Sequence, residues 1–198
     1  MTPSDREAQA ADLFARHKAK SAMRAIVTNL AEAGSRPYLV TGDKPLEGST
    51  VYVVGAGPSL SRALPHLADL SRHGYVFAVN ASARAVARVT PPDVVVVRES
   101  VDVAGQLEGV EASLIALDLC ASPAVWDVCR GRNAGWFIAG AVQHFGLAAR
   151  LGVRPLFAGS SAITAAVALA HELGAWRIVL VGCDLAFADG LAYAPESA

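Results

Sequence analysis

"VYVVGAGPSL", residues 51–60, carries the reading of the fold. Four apolar residues run into two closely spaced glycines, then a proline, a serine and a leucine. An unbroken apolar run has no polar face, so it suits a strand covered on both sides of a sheet. Gly55 and Gly57 permit a tight turn and close backbone approach to a ligand. Pro58 suits the first helical position, where its missing N–H costs nothing. The free N–H groups of Ser59 and Leu60, the Ser59 hydroxyl and the helix dipole would then favour an anion.

The pattern continues outward from there. "YVFAVN" (75–80), "PPDVVVVRES" (91–100), "ASLIALDL" (112–119), "GWFIAG" (135–140) and "WRIVLVGCD" (176–184) read as further strands. Helical stretches separate them: 58–72, broken near its middle by Pro65; "ASARAVARV" (81–89); "SPAVWDVCRG" (122–131), with Ser122 as N-cap and Pro123 first in the helix; and 160–173. "HFGLAARLGV" (144–153) fits either type. Alternating strands and helices imply an α/β fold: a Rossmann-like three-layer sandwich around a mostly parallel sheet, with right-handed crossovers. Ligands of such sheets bind beyond the carboxyl ends of the strands. Upstream, residues 4–33 read as a helix, and "GSRPYLVTGDKPLEGS" (34–49) as a linker with turn chemistry. The expected division is an N-terminal helical arm and linker, 1–48, and a nucleotide-binding domain, 49–198.

Composition limits the function. Hydrophobic residues make up 53% of the 198-residue chain and charged residues 18%, which argues against disorder. The net charge of −1 gives no global field to attract nucleic acid or an anionic membrane. No apolar run approaches the roughly 20 residues of a membrane span, and the first residues lack a secretory core. The expectation is a cytoplasmic protein with neither nucleic acid nor membrane as partner. Cys120, Cys129 and Cys183 have no Cys-x-x-Cys spacing, so no metal or disulfide framework is expected.

Chemistry is sought just after each strand. As a dinucleotide fingerprint "GAGPSL" is poor, because a third glycine is missing. Asn80 also stands where an acidic residue would hold the ribose. No Gly-Lys-Ser/Thr follows, so the turn is no P-loop, and there is no Gly-x-Ser-x-Gly elbow. Asn80 offers a donor and an acceptor and can read a base or a sugar. Ser160 and Ser161 open a helix of small residues, either as its cap or as a second anion contact. Asp184 follows a buried strand and a glycine; it could bind a metal, accept a proton or hold a hydroxyl, or cap the next turn. Glu99 closes the third strand, with Arg98 beside it aimed at the other face. Asp189-Gly190 reads as a structural turn, and His144 and His171 as surface or structural residues.

In this order, "VYVVGAGPSL", "FAVNAS", "PPDVVVVRES" and "FAGSSAITAAVALAHELGAWRIVLVGCDLAFADGLAYA" resemble the 6-hydroxymethylpterin diphosphokinase MptE-like family, which includes the bacterial motility accessory factor (Maf) glycosyltransferases. The resemblance runs from Ser49 onward. It implies a Rossmann-like nucleotide-binding domain that transfers a group from an activated donor. One branch moves diphosphate from ATP to a hydroxymethyl pterin with Mg²⁺. The other moves nonulosonic, sialic-acid-like sugars from a CMP-linked donor to flagellin. The similar bacterial sialyltransferases carry the same "GPSL" turn and an Asn after the second strand, both facing the cytidine nucleotide. By that resemblance Gly55, Gly57, Ser59 and Asn80 hold donor phosphate and nucleoside, Ser160 and Ser161 lie near donor or acceptor, and Asp184 closes the site. Pro58 and Leu60 complete the expected nucleotide-binding turn, and Asp184 and Glu99, each just after a strand, are the candidate catalytic carboxylates.

The resemblance implies no certain cofactor. For the diphosphokinase it implies Mg²⁺, with Asp184 and Glu99 as candidate ligands. The sialyltransferases use a histidine base well beyond the counterpart of Asp184, and no histidine follows His171 here. Three readings stay open: a sugar transferase, a diphosphokinase, and a non-catalytic nucleotide-binding or assembly module. The N-terminal arm tilts the choice to the bacterial branch. The acceptor and the oligomeric state, a homo-oligomer included, stay open.

Overall fold

The computed structural model describes residues 19–140, 142–184, 190 and 192–197. Among these, six strands form one sheet: β1 (Thr50–Val54), β2 (Tyr75–Val79), β3 (Val94–Val97), β4 (Leu114–Asp118), β5 (Ala134–Phe137) and β6 (Arg177–Val181). Their order is β5-β4-β3-β2-β1-β6, and every pairing is parallel. The helices are α1 (19–33), α2 (Leu60–Leu70), α3 (Ser82–Ala87), α4 (Pro123–Val128), α5 (Val142–Leu151) and α6 (Ala162–Glu172).

Alternation along each strand builds two cores. Val54, Val76, Ala78, Val95, Val97, Ile115 and Leu117 face one side, where α1, α2, α3 and α4 pack. Val51, Val53, Phe77, Val79, Val94, Val96 and Ala116 face the other, under α6. A side chain of this size contributes about 1.5–3 kcal/mol when fully buried, so both layers hold the sheet. On α6 the buried residues are Ala162, Ala165, Ala166, Leu169 and Ala170, and the short side chains let it lie close across β1, β2 and β3. β6 pairs with β1 alone among the described residues, and Leu180 on it is 56% exposed.

The chain steps outward from β1 to β5, then returns over the opposite face through α6 to place β6 beside β1. Crossovers therefore diverge between β1 and β6, which is where such a sheet opens a crevice at its carboxyl edge. Register levels that edge, since Val54 pairs with both Ala78 and Val181.

Some local expectations change. α2 runs through Pro65 without a break. The missing N–H gives up one helical bond, while Leu60, Leu64 and Leu67 stay buried on one face. Its first helical residue is Leu60, and Pro58 lies in the preceding turn. Ser122 does stand at the N-cap of α4, but its side chain makes no capping bond. "HFGLAARLGV" is mostly helix α5. The expected helix over 4–33 is seen over 19–33, its earlier part falling outside the described residues, as does Asp189.

The arm packs on the domain. Asn29 is 2% exposed, and its Nδ2 donates to the carbonyls of Leu119 (2.9 Å) and Ala121 (2.7 Å). Arg36 donates to the carbonyls of Cys129 and Trp126, both at 3.1 Å, with its guanidinium over the Trp126 ring. Replacing Asn29 with Ala strands two buried carbonyls and should cost about 2 kcal/mol in chemical denaturation. Thr28→Ala, on the exposed side of the same turn, should stay within about 0.5 kcal/mol. Equal losses at the two positions would mean that α1 is not docked through Asn29.

Candidate functional site

The glycine turn is closed by β6. Gly55 N–H donates to the Val181 carbonyl at 2.8 Å, and Gly57 N–H to the Gly182 carbonyl at 2.7 Å. A Cβ on Gly55 would lie 2.6 Å from the Gly182 carbonyl oxygen and 3.1 Å from Ile163 Cδ1, so the start of α6 also meets this turn. Gly182 has a φ of +61°, and a Cβ there would stand 2.6 Å from the Gly55 carbonyl oxygen and 2.9 Å from Leu60 Cβ. The close approach that the glycines permit is thus made by another strand of the same sheet.

Asp184 sits at the mouth of the turn. Its Oδ2 accepts the Ser59 N–H at 2.7 Å, and its Oδ1 the Ser59 hydroxyl at 2.5 Å. The Leu60 N–H does not point outward; it donates to the Gly57 carbonyl at 2.9 Å. The Ser59 hydroxyl, then the Ser59 amide, hold the Asp184 carboxyl below the usual carboxylate range, with Arg62 adding a smaller pull. The chain also returns here further on. Ala194 N–H donates to the Ala56 carbonyl at 2.8 Å, and the Ser61 hydroxyl donates to Glu196 Oε2 at 2.6 Å.

Asn80 ends β2 in a left-handed conformation, with φ at +28°, which asparagine tolerates better than most residues. Its Oδ1 accepts the Arg98 N–H at 3.4 Å. The neighbouring Ser82 hydroxyl, fully buried, donates to the Val54 carbonyl at 2.6 Å, which ties β2's end to the glycine turn.

Ser161 caps α6. Its hydroxyl accepts the Thr164 N–H at 3.1 Å, while Thr164 Oγ1 accepts the Ser161 N–H at 3.3 Å. The cap reading of that serine therefore holds. Ser160 beside it is exposed.

Arg98, placed by the sequence on the face opposite Glu99 but given no role there, organises this edge. Parallel register sets Val97 against Leu117, so Arg98 and Asp118 leave adjacent strands side by side, both toward α6. Arg98 Nε lies 3.0 Å from Asp118 Oδ2, with side chains 8% and 2% exposed. Its Nη1 donates to the carbonyls of Gly159 and Ser161, holding the first turn of α6. Two charged residues that each end an apolar run were the available signal.

Glu99 lies elsewhere. Its backbone carbonyl accepts the Ser122 N–H at 2.8 Å, on the side of α4. The order β3-β2-β1-β6 sets the ends of β3 and β6 three strand spacings apart, roughly 14 Å. Among the described residues no group of three or more His, Cys, Asp or Glu side chains is placed to hold a metal. No helix among them is long and apolar enough to cross a membrane. His144 Nδ1 lies 2.9 Å from the Ala139 carbonyl oxygen, a local structural contact.

The family model of the 6-hydroxymethylpterin diphosphokinase MptE-like proteins matches residues 24–190. The chain belongs to that family. The MptE-like match starts within α1 and takes in all six strands. Among solved structures, the Maf glycosyltransferase from Magnetospirillum magneticum AMB-1 superimposes with a TM-score of 0.65 at 17% identity, over 79% of this chain and 26% of that one. At that identity the likeness is one of fold, and the MptE-like chain spans about a quarter of the Maf protein's length. No curated protein sequence matches it.

Two tests follow from this geometry. Because Asp184's folded pKa lies below its unfolded value, its charged contact stabilises the fold above the ordinary carboxylate range. That contribution is lost as pH falls through the folded pKa. Melting temperatures of wild type and Asp184→Asn should differ near neutral pH and converge in acid; a gap constant with pH would remove the charged contact. Gly182→Ala should destabilise well beyond the roughly 1–2 kcal/mol of a left-handed residue. Gly109→Ala, with a φ of +68° and open space around it, should cost only that.

Proposed function

We propose that the chain is the donor-nucleotide-binding part of a transferase of the MptE-like/Maf type. It would move a nonulosonic, sialic-acid-like sugar from a CMP-activated donor to a protein or glycan acceptor. The observation that carries the reading is the turn at residues 55–60. It opens α2 at the sheet's switch point, beside Asn80, and its Ser59 amide and hydroxyl already hold a carboxylate. A phosphate oxygen has the same acceptor chemistry and the same attraction to a helix N-terminus.

The chemistry divides among the residues as follows. The acceptor hydroxyl attacks the anomeric carbon and releases its proton to solvent, the sugar–phosphate bond breaks, and CMP leaves carrying the electron pair. Negative charge grows on the leaving phosphate, where the Ser59 amide, the Ser59 hydroxyl and the α2 dipole stabilise it. Gly55, Gly57 and Pro58 shape that turn, and Asn80 reads the nucleoside with its amide. Arg98 positions the Ser160–Ser161 start of α6 on the same edge. Asp184, held ionised by Ser59, is a weak base near neutral pH, which argues against it as the group that deprotonates the acceptor.

The family's description names a diphosphokinase, which supports a second reading, diphosphate transfer, for which ATP with Mg²⁺ would be the donor. Both Asp184 oxygens accept from Ser59, and β3 and β6, the strands that precede Glu99 and Asp184, are separated by β2 and β1, which makes a magnesium ion shared by the two carboxylates the less favoured reading.

Ligand binding raises the folded state's stability, by about 2.7 kcal/mol at a hundredfold excess over Kd. CMP or CDP at millimolar concentration should therefore raise the melting temperature, and Asn80→Ala should reduce that rise. A clear shift with ATP and none with the cytidine nucleotides would move the assignment to the diphosphokinase, the more so if EDTA abolished it.

A further inference from the structure

We propose that Asp184 is an internal anion standing in the phosphate position at the start of α2, so that a nucleotide phosphate enters only as Asp184 leaves. The inference rests on the nucleotide-binding reading and specifies how that site is controlled.

Three observations lead to it. Both Asp184 oxygens are engaged by one residue, Ser59, through the amide at 2.7 Å and the hydroxyl at 2.5 Å. These are the donors that a phosphate at this helix start would use. The carboxylate also occupies the cradle left by a missing side chain, since a Cβ on Gly57 would lie 2.5 Å from Asp184 Oδ2. Finally, α2 brings no acid of its own to its N-terminus. Its first turn has no acidic residue, and Ser59 at its N-cap makes no side-chain bond to its own helix. The negative charge is supplied from the end of β6.

A carboxylate and a phosphate cannot share these donors, because each disfavours the other's charge at contact distance. Exchange is feasible because the donors stay satisfied in both states: a buried or half-buried N–H left empty is the costly case. Asp184 is exposed and follows Gly182 and Cys183 at the end of an edge strand, so it can swing away without unpacking the core. The bound state must displace it, and the apparent affinity is lowered by the fraction of molecules in which it is in place.

Isothermal titration with CMP, CDP, cytidine and inorganic pyrophosphate tests this, using wild type, Asp184→Asn and Asp184→Ala. Asparagine keeps an acceptor for the Ser59 amide and removes the charge, so it guards against a variant that simply unfolds. The expected result is a gain of about tenfold or more for CMP, CDP and pyrophosphate in both variants, with cytidine unchanged. A purely structural cap would lower the melting temperature and leave the affinities alone, which overturns the proposal. CMP binding that weakens in Asp184→Asn also overturns it, because Asp184 would then be a ligand contact; the nucleotide reading would stand. Tighter pyrophosphate binding by the variants, with no nucleotide bound by any form, would keep the internal anion and overturn the nucleotide reading. No binding of any probe to any form overturns both.

Discussion

The seam between the ends of β1 and β6 is the constraint on which the rest depends. Two backbone bonds close it, Gly55 to Val181 and Gly57 to Gly182. At these distances neither strand end can carry a side chain: the Gly55 and Gly182 positions each face the other's carbonyl oxygen at 2.6 Å from a Cβ. β6 arrives from the opposite crossover, so closing the seam fixes the switch point of the sheet, the start of α2 and the place of Asp184 together. A dinucleotide fingerprint uses its third glycine for close packing of helix on strand. Here Gly182 meets Leu60 from a distant strand, which gives a physical reason why position 60 tolerates leucine.

A second polar centre holds the other half of the edge. Arg98 and Asp118 are buried together, and a buried pair is weak evidence for stability because desolvation offsets much of the attraction. Its geometry points to registry instead. The guanidinium touches a carboxylate on β4 and two carbonyls at the start of α6. Its own backbone N–H meets Asn80. One residue thereby joins β2, β3, β4 and α6 at the carboxyl edge. Removing either charge would strand the other, at a cost of about 3–5 kcal/mol, so the two must be kept or lost together.

Legibility in the sequence followed burial. Parallel strands covered on both faces are continuous apolar runs, so "VYVV" and "VVVV" could be seen one by one, and the glycine turn announced the strand-to-helix step; "IVLV" read the same way, but the edge strand β6 it forms has no fully buried residue, so Asp184 does not follow a buried strand. The left-out parts depend on what a strand ends beside. Arg98 meets Asp118 only through parallel register, and Asp184 meets Ser59 only because the last crossover returns to β1. Neither fact is local. Pro65 misled because a proline in mid-helix usually breaks it, whereas three buried leucines hold α2 together on either side. Ser161 was open between cap and ligand contact; Thr164 decides for the cap, and a Ser-x-x-Thr spacing was a weaker signal than the Ser-x-x-Glu form.

The charge arrangement at α2 bears on what this turn is for. Arg62 is near, and the helix brings no acid to its first turn. The negative groups on that turn come from the end of the chain, Asp184 on Ser59 and Glu196 on Ser61. Ala194 docks on Ala56 between them. A helix that needed only a cap could obtain one from its own N-cap side chain, as α6 does with Ser161. At α2 the Ser59 hydroxyl instead faces outward as a donor and is satisfied by a carboxylate from another strand. An outward hydroxyl donor beside an amide that the helix itself does not use is the arrangement of an anion receptor, and here the Asp184 carboxylate satisfies both. "LVGCD" begins on β6 and ends at Asp184. The same few residues thus close the sheet's seam through Gly182 and place a carboxylate on Ser59 through Asp184, so fold and site cannot vary independently here.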